Sequence, residues 1–258
     1  MSVSVTGRAC ELERINRDFY EPLWDEAQLI APQRFNTWPL IESLLRAESR
    51  CLEVAPGLRP RLPLAGTRFV DMSERAVARL RDAGAQAEVG TILDLPFQSQ
   101  GFDLVCAMDV IEHVEDDVGA LGELARVLAP GGTLLISVPL HESQWTAFDD
   151  FVGHCRRYEP EMLTALLAHF GLAVERSAVY GMAPRSSRLL DVGLWYLVNQ
   201  RERAMWWYNR VFMPLAVRFQ RPLTFVDGLI DDEQVDEVLV ICRAPQFVHQ
   251  ATNSLKPM

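Results

Sequence analysis

Lysine is almost absent from this chain of 258 residues: Lys256 is the only one, and every other basic residue is arginine. Enzymes that form a Schiff base with a cofactor, and P-loop enzymes that hold nucleotide phosphates, need a lysine inside a folded site. The one lysine lies in a segment that reads as a C-terminal tail. The sequence therefore argues against ATP-driven phosphoryl transfer and against pyridoxal phosphate chemistry.

Positive charge and long apolar runs are also scarce. The 25 Lys+Arg stand against 35 Asp+Glu, for a formal net charge of −10. A general nucleic-acid binder needs a cationic footprint, so we expect no nucleic-acid partner. No apolar run approaches the ~18 residues that span a bilayer, and the N-terminus lacks the apolar segment of a secretory signal. We therefore expect a cytoplasmic protein.

Cysteine is sparse and scattered, with five residues and no CxxC pair. A disulfide framework or a zinc knuckle needs cysteines at closer spacing. The sequence therefore predicts small buried cysteines in a reducing compartment, and no metal site.

Short apolar runs alternate with amphipathic helical stretches through the middle of the chain. The runs lie at 51–55, 68–72, 102–108 and 133–138. Strands that are apolar on both faces and alternate with helices are typical of a parallel sheet covered on both sides. We predict an α/β protein with a doubly wound, mostly parallel, seven-stranded Rossmann-like sheet, N-terminal helices, and a helical insertion before the last strand.

The same pattern predicts the organisation of the whole chain. A Rossmann-like core is the longest unit, and the segments around it differ from it in composition and rhythm. The predicted units are an N-terminal helical cover (1–47), the core (48–181), an aromatic and basic insertion (182–232), the last core strand (233–244) and a tail (245–258).

The insertion differs from the rest of this acidic chain. Seven arginines lie between Arg185 and Arg221, against only Asp191 and Glu202, and half of the six tryptophans are there too. Aromatic and basic residues together are typical of lids, of dimer contacts and of surfaces that meet anionic membranes. Three roles remain open: a lid over the site, a homodimer contact, and a peripheral membrane contact through 182–222.

Two carboxylates follow the first two strands of the predicted core. Glu53 ends the first strand, and Asp71 ends the second, 18 residues later. Ligands of doubly wound sheets bind at the carboxyl ends of the strands, where an acid after the second strand accepts hydrogen bonds from ribose hydroxyls. The spacing predicts a nucleoside site at Asp71, although an Asp-x-Ser sequence also caps helices.

The order of the motifs resembles a known family. The segments LEVAPG, DMS, LPFQSQGFD, IEHV and LAPGGTLLISVP are similar to those of class I S-adenosylmethionine-dependent methyltransferases of the small-molecule type. The resemblance covers about 48–181 and the last strand. A further element, GHCRRY at 153–158, resembles the GHxRRY sequence of one branch of that family.

The resemblance implies a role for each matching position. It implies S-adenosyl-L-methionine as cofactor, held by its methionine part, its ribose, its adenine and its reacting end. The corresponding residues are Glu53, Ala55 and Gly57 for the methionine part, Asp71 for the ribose, Met72, Thr91 and Asp94 for the adenine, and Met108 and Asp109 for the reacting end.

The glycine turn departs from the family pattern. Ala55 and Arg59 stand where glycines are usual, and Pro56, Pro60 and Pro63 crowd the following segment. Proline is tolerated in a first helical turn and breaks a helix interior. We therefore expect the first helix of the core to be short or displaced.

The acceptor side is less clearly marked, because methyl transfer needs alignment more than one fixed catalytic group. Candidate acids and bases are His141, His154 and Tyr158, and candidate acceptor-binding residues are Trp24, Trp145, Arg156 and Arg157. A hydrogen-bonded scaffold that anchors the loop over the site is an equal interpretation of 154–158. Glu112 and His113 of IEHV are interpreted mainly as packing or capping residues.

The sequence thus predicts methyl transfer to a small, bulky apolar or planar acceptor, with oxygen favoured over nitrogen or carbon. Three alternatives remain. The first is a catalytically degenerate methyltransferase fold that binds a nucleoside or a partner. The second is a nicotinamide dehydrogenase, although APGLRP lacks the GxGxxG turn. The third is a docking module centred on the insertion.

Overall fold

A computed structural model describes residues 27–181, 195–196 and 199–246. One sheet of eight strands runs through these residues. The strands are β1 (Cys51–Val54), β2 (Thr67–Asp71), β3 (Gln86–Val89), β4 (Phe102–Met108), β5 (Leu128–Pro139), β6 (Ala173–Val179), β7 (Phe225–Asp227) and β8 (Glu237–Arg243).

The strand order is β3-β2-β1-β4-β5-β8-β6-β7. The first five strands in this order are parallel, and β8 runs antiparallel between β5 and β6. This is the mostly parallel α/β fold that the sequence predicts. The sheet has eight strands rather than seven, because the short run Phe225–Asp227 inside the insertion pairs with β6 as an edge strand.

Helices cover both faces of the sheet. They are α1 (Trp38–Leu44), α2 (Glu74–Asp82), α3 (Asp117–Val127), α4 (Ala147–Val152), α5 (Pro160–His169), α6 (Arg201–Trp207) and α7 (Met213–Arg218), with a π-helical turn at Tyr208–Phe212. All four residues of β1 are buried, as are most of β4 and β5. Strands buried on both faces explain the continuous apolar runs of the sequence.

Side-chain caps fix where several helices begin. The Ser73 hydroxyl accepts from the Ala76 amide, and the Asp116 carboxylate accepts from the Gly119 amide. Thr146 and Asp149 form a reciprocal capping box at α4. Such caps satisfy amides that lack a partner in the first turn and are worth ~1 kcal/mol each. Each of these helices follows a loop after a strand, so the caps also fix the loops at the carboxyl ends of the strands.

The crossover from β1 to β2 contains no helix in its twelve residues, 55–66. Leu58 and Leu62 are fully buried and anchor it to the core. The prolines explain this path, because a ring at positions 56, 60 and 63 removes three amide donors that a helix would need. The expected short or displaced helix is therefore replaced by a packed loop.

The N-terminal segment and the insertion meet beside the sheet. Phe35 packs with Met213 and Val217 of α7, and the Asn36 amide donates to the Gln220 side chain at 2.8 Å. No helix within the described ranges is long and apolar enough to cross a bilayer.

Candidate functional site at the strand ends

Three strands end in residues with strained backbones. Ala55 after β1, Asp109 after β4 and His141 after β5 have φ values of 52°, 55° and 60°. A residue with a Cβ rarely adopts this left-handed conformation, which costs ~1–2 kcal/mol. Such strain persists where the surrounding structure holds it, and it concentrates at functional sites. The carboxyl edge of β1, β4 and β5 is therefore the candidate site, and we call the groove along this edge the cleft.

Asp71 lies at this edge, at the end of β2, and is only 7% exposed. Its Oδ2 accepts from the Gly57 amide and its Oδ1 from the Ser73 amide, both at 2.8 Å. Asp71 thus ties the loop after β1 to the end of β2.

Glu53 holds the other end of the same loop. Its carboxylate accepts from the amides of Arg61 and Leu62 at 2.8–3.0 Å. Burial raises the pKa of Glu53 to about 7, against the lowering effect of these amides and of the Arg61 charge. Glu53 and Asp71 therefore replace the missing helix as the supports of residues 55–66.

Arg61 connects the loop to the opposite side of the cleft. Its Nε and Nη2 donate to the Tyr180 hydroxyl at 3.2 and 3.0 Å, and its guanidinium lies 3.8 Å from the Phe35 ring centre. Burial acts to lower the pKa of Arg61, but the Tyr180 hydroxyl and the carboxylates of Asp109 and Glu53 raise it above its usual value. A buried cation thus lies close to the negative residues of the cleft.

The residues that the resemblance assigns to adenine lie along the same edge. Met72 is 53% exposed beside Asp71 and offers an apolar surface. Thr91 and Asp94 form a turn after β3, in which the Asp94 amide donates to the Thr91 carbonyl at 3.2 Å. Asp94 is exposed and Thr91 is half-buried. The arrangement leaves these groups accessible to a ring system bound over β2 and β3.

The end of β4 forms a carboxyl cluster. Asp109 is exposed, follows the half-buried Met108, and accepts a hydrogen bond from the Ser137 hydroxyl. The Glu237 carboxyl at the start of β8 hydrogen-bonds to Asp109, and burial and that neighbour raise the pKa of Glu237 well above its usual range. Glu112 is 1% exposed, and its pKa is raised for the same reasons. Glu237 and Glu112 therefore hold protons that isolated carboxyl groups would lose.

The loop after β5 is fixed by its own polar contacts. His141 is buried, with Nδ1 at 3.1 Å from Glu159 Oε2 and Nε2 at 3.0 Å from the Asp232 carbonyl. The Tyr158 hydroxyl donates to Asp117 at 2.9 Å, which together with burial raises the pKa of Tyr158 far above its usual range. Both candidate catalytic groups are thus engaged within the protein, which favours a structural role for them.

Asp149 organises the GHCRRY element. This fully buried carboxylate accepts from His154 Nδ1 at 2.8 Å and from Arg157 Nε at 2.9 Å. Arg157 also pairs with Asp236 at 2.7 Å. These contacts favour the scaffold interpretation of the element over direct contact with an acceptor.

The other predicted acceptor-binding residues lie around that scaffold. Arg156 pairs with Asp117 and donates to the Glu115 carbonyl. The Trp145 indole donates to Asp150 at 3.1 Å. Trp24 lies outside the described residues. The structure thus places Arg156 and Trp145 in the loop wall, each with a protein partner.

Sequence reasoning did not identify Glu237, Arg61 or Tyr180 as site residues. Glu237 opens β8, and only the antiparallel placement of β8 brings it to the strand ends, whereas Tyr180 directly follows β6, which runs in the same direction as β5. Arg61 follows a proline-rich run whose path no periodicity predicts. The one available signal was an acid that opens the last strand, next to the apolar run VLVIC.

A cavity of about 390 Å³ lies between the N-terminal segment and the insertion. Its walls are mainly apolar, with a few polar side chains. The lining includes Phe35, Trp38, Leu40, Val217, Leu223 and Phe225. Phe35 also stacks on Arg61, so the cavity adjoins the cleft beside that residue. The loop 141–158 does not line it.

Known proteins match this chain mainly over the core. Residues 58–136 match a family model described as a methyltransferase domain. A probable S-adenosylmethionine-dependent methyltransferase of Mycolicibacterium smegmatis is 32% identical over 112 residues, which is 41% of this chain and 43% of that protein. A probable tRNA methyltransferase 9B of Mus musculus is 42% identical over 72 residues, which is 27% of this chain and 16% of that protein. The chain spans less than half the length of these curated relatives.

Solved structures share the architecture over most of the chain. An S-adenosylmethionine-dependent methyltransferase of Thermotoga maritima, described as a possible histamine N-methyltransferase, superimposes with a TM-score of 0.55 and 19% identity. The match covers 91% of this chain and 94% of that one. The fold is therefore the Rossmann-like fold of the methyltransferases. The matched domain supports an enzyme of this class, with S-adenosylmethionine as its cofactor.

Proposed function

We propose that this protein transfers the methyl group of S-adenosylmethionine to a small acceptor. The observation that carries the proposal is Asp71, a buried carboxylate that ends β2 and is held by the Gly57 and Ser73 amides at the carboxyl edge of the sheet. It faces the Ala55–Gly57 turn, where a nucleoside binds in doubly wound folds. The match of residues 58–136 to a methyltransferase domain points the same way.

The residues around the cleft fit this cofactor. Asp71 would accept from the ribose, Met72 would pack against the adenine, and the positive φ of Gly57 lets the backbone approach the ligand closely. Glu53 would hold the loop that meets the methionine part. When bound, the cofactor supplies a methyl group already activated by its sulfonium. The protein must therefore align the acceptor, exclude water and accept a proton.

We assign the proton to the carboxyl cluster at the end of β4. An acceptor hydroxyl that forms a bond to the methyl carbon, as the carbon–sulfur bond breaks, must release its proton. Asp109 is exposed to the cleft, and Glu237, which keeps its own proton, hydrogen-bonds to it, so Asp109 is the carboxylate that can take up the acceptor's proton. This supports oxygen as the methylated atom.

We place the acceptor between the cleft and the apolar cavity. The cavity walls at Phe35, Trp38 and Phe225 suit a bulky apolar or planar group, since flat apolar surfaces stack on aromatic side chains. Its volume of about 390 Å³ lies within the ~300–1,000 Å³ of small-molecule sites. The GHCRRY scaffold would close the opposite side, which supports membership of the GHxRRY branch.

Cofactor binding is the first test. Titration calorimetry with S-adenosylmethionine is expected to give one site, and Asp71→Ala is expected to weaken binding at least about 100-fold, since two charge-assisted hydrogen bonds are lost. Asp103→Ala is the matched control: this exposed carboxylate lies on β4 at the other end of the sheet and pairs with Arg50. Absence of binding to the unaltered protein would support the degenerate-fold alternative.

The class of acceptor is tested with labelled cofactor. Transfer of label to organic-extractable small molecules from a cell lysate is expected, and transfer to purified tRNA is not. The mouse relative makes tRNA the necessary comparison, although its match covers only 16% of that protein. Label that appears in tRNA alone would contradict the small-molecule proposal.

The proton acceptor is tested with Asp109→Asn. The amide oxygen can still accept from Ser137, so the fold is expected to persist, but the amide cannot take up a proton. We expect kcat to fall about 100-fold or more, as is usual for a lost general base, with unchanged cofactor affinity. Glu175→Gln, an exposed carboxylate on β6, serves as control. Unchanged kcat in Asp109→Asn would remove the carboxyl pair from the mechanism.

We also propose that the insertion contacts an anionic bilayer surface. Phe212, Leu215 and Phe219 are 50–75% exposed and recur at i, i+3 and i+7. From 203 to 226 the chain has four arginines and no carboxylate. In a twofold dimer this patch would meet itself and place like charges together, so a bilayer fits better than a second copy.

Vesicle flotation tests this contact. The protein is expected to float with phosphatidylserine vesicles at low salt and not with phosphatidylcholine vesicles, because each arginine adds about fivefold in affinity near an anionic surface. A triple Phe212→Ser, Leu215→Ser, Phe219→Ser variant is expected to remain in the pellet fraction. The control is Met162→Ser, an equally exposed apolar residue on α5. Dimerisation that the triple variant abolishes, without flotation, would assign the patch to self-association.

A further inference from the structure

Glu112, His113 and His154 bring three metal-ligating atoms together. One atom of each side chain lies within 4.8 Å of the other two, in the only such group among the described residues. Glu112 and His113 come from the turn after β4, whereas His154 comes from the GHCRRY loop. The two imidazole rings meet edge to face, with centres 4.6 Å apart. The fold therefore brings side chains from two segments that are far apart in the sequence into contact.

Each histidine is oriented by an acceptor at its Nδ1. His154 Nδ1 lies 2.8 Å from Asp149 Oδ1, and His113 Nδ1 lies 3.3 Å from the Gly153 carbonyl. Metal-binding histidines in proteins almost always have such a partner on the ring nitrogen that does not bind the metal. In His154 this contact directs Nε2 away from Asp149. The Asp149–His154 pair thus has the form of a carboxylate–histidine–metal arrangement.

Glu112 adds an independent indication. Its side chain is 1% exposed, and its Oε2 is buried with no hydrogen-bond partner in the described part of the protein. A buried carboxyl oxygen without a donor is costly, since the lost solvation is not replaced. Buried carboxyl groups are normally paired or bind a metal. Oε2 is therefore an unsatisfied acceptor that a metal ion would satisfy, and it lies next to two oriented imidazole rings.

We propose that Glu112, His113 and His154 bind a divalent first-row transition metal ion. Two imidazoles and one carboxylate are the donor set that Mn²⁺, Fe²⁺ and Zn²⁺ share, whereas Mg²⁺ and Ca²⁺ favour sites built from oxygen alone. Three protein ligands leave coordination positions open, as in catalytic rather than structural sites. The site follows β4 directly, three residues from Asp109.

The position gives the metal a role at the acceptor. Lewis-acid contact with an acceptor oxygen would lower the pKa of its hydroxyl and assist its release of a proton. This role rests on the proposed methyl transfer, whereas metal binding does not. Asp149 acts as a positioning residue, because it holds the ring of His154 without contacting the ion.

Metal binding is tested on the full chain with Mn²⁺, whose free form is counted by electron paramagnetic resonance. We expect one bound Mn²⁺ per chain, displaced by Zn²⁺ and not by an equal concentration of Ca²⁺. Glu112→Gln and His154→Gln are each expected to weaken binding by more than about 10–100-fold, the loss typical of outer-shell changes alone. Thermal unfolding of both variants shows whether they fold.

His169→Gln is the matched control, because His169 ends α5 and is exposed. It is expected to leave Mn²⁺ binding unchanged. No bound Mn²⁺ in the unaltered protein, or binding that folded Glu112→Gln and His154→Gln retain, would overturn the proposal. The readout is independent of S-adenosylmethionine, so a failed metal site and a failed methyltransferase assignment are distinguishable.

Discussion

On one side of the strand-end cleft, Glu53 and Asp71 have both carboxyl oxygens bonded by backbone amides. On the other side, Glu112 and Glu237 each keep one buried oxygen for which the described residues offer no donor. The first side lies at β1 and β2 and the second at β4 and β8. The same chemical group thus serves two purposes within one cleft.

The difference separates support from chemistry. Amide donors hold a carboxylate in one position and fix the loop that binds a cofactor, so that side is complete without an acceptor. A buried carboxyl oxygen without a donor is energetically unfavourable, and binding a proton or a cation removes this cost. The second side is therefore where reactive groups are expected to act.

The largest effect is expected at Asp149, a buried carboxylate on α4, the helix after β5, whose oxygens both accept hydrogen bonds within the protein. Asp149→Ala leaves His154 Nδ1 without its acceptor and Arg157 with Asp236 as its remaining carboxylate partner, and we expect a loss of about 3 kcal/mol in the free energy of unfolding. Asp150→Ala, one residue along α4 and exposed, is expected to change it by less than about 0.5 kcal/mol. Urea denaturation measures both, and equal effects would refute the importance of the buried network.

A smaller effect is expected from Glu53 as pH changes. Its pKa is raised from 4.5 to about 7, so the folded state keeps a proton that the unfolded chain releases between these values. The free energy of unfolding therefore falls as pH rises through this window, by up to about 3 kcal/mol. Glu53→Gln is expected to lack this fall. Parallel pH curves for the two proteins would show that the amide donors keep Glu53 ionised.

The smallest effect is expected at Ala55, whose backbone is strained and which lies in the turn that would contact the cofactor. Ala55→Gly relieves the left-handed backbone and is expected to raise the free energy of unfolding by about 1 kcal/mol. Gln100→Gly, at φ 59° outside the cleft, is the matched control and is expected to give a similar gain. Only Ala55→Gly is then expected to alter cofactor affinity, measured by calorimetry. A loss of stability at Ala55 would mean that its methyl group packs usefully.

The parallel core and its helix caps follow from local sequence. The buried strands are continuous apolar runs, and Ser73 caps its helix where the sequence predicts it. Pro160 begins α5, and a proline in the first helical turn is a common start signal. These features depend on residues close in the chain, so periodicity and capping patterns are sufficient to find them.

The second side of the cleft, at β4 and β8, depends instead on contacts between segments that are far apart in the sequence. Glu112 and His154 are 42 positions apart, and Glu237 reaches Asp109 only because β8 enters the sheet antiparallel. No local pattern gives such a placement. The same limit applies to β7, whose three residues are too short for a periodic signal.

That short strand has a consequence for the behaviour of the protein at high concentration. An exposed sheet edge offers unpaired backbone groups to neighbouring molecules and promotes aggregation. β7 covers β6 with only three residues, is followed by Gly228 with φ 74°, and ends in Asp227. Because β7 is short, ends in a charged residue and is followed by a sharp turn, a strand of another molecule can pair with it only poorly. The insertion thus gives the sheet an edge that disfavours pairing between molecules.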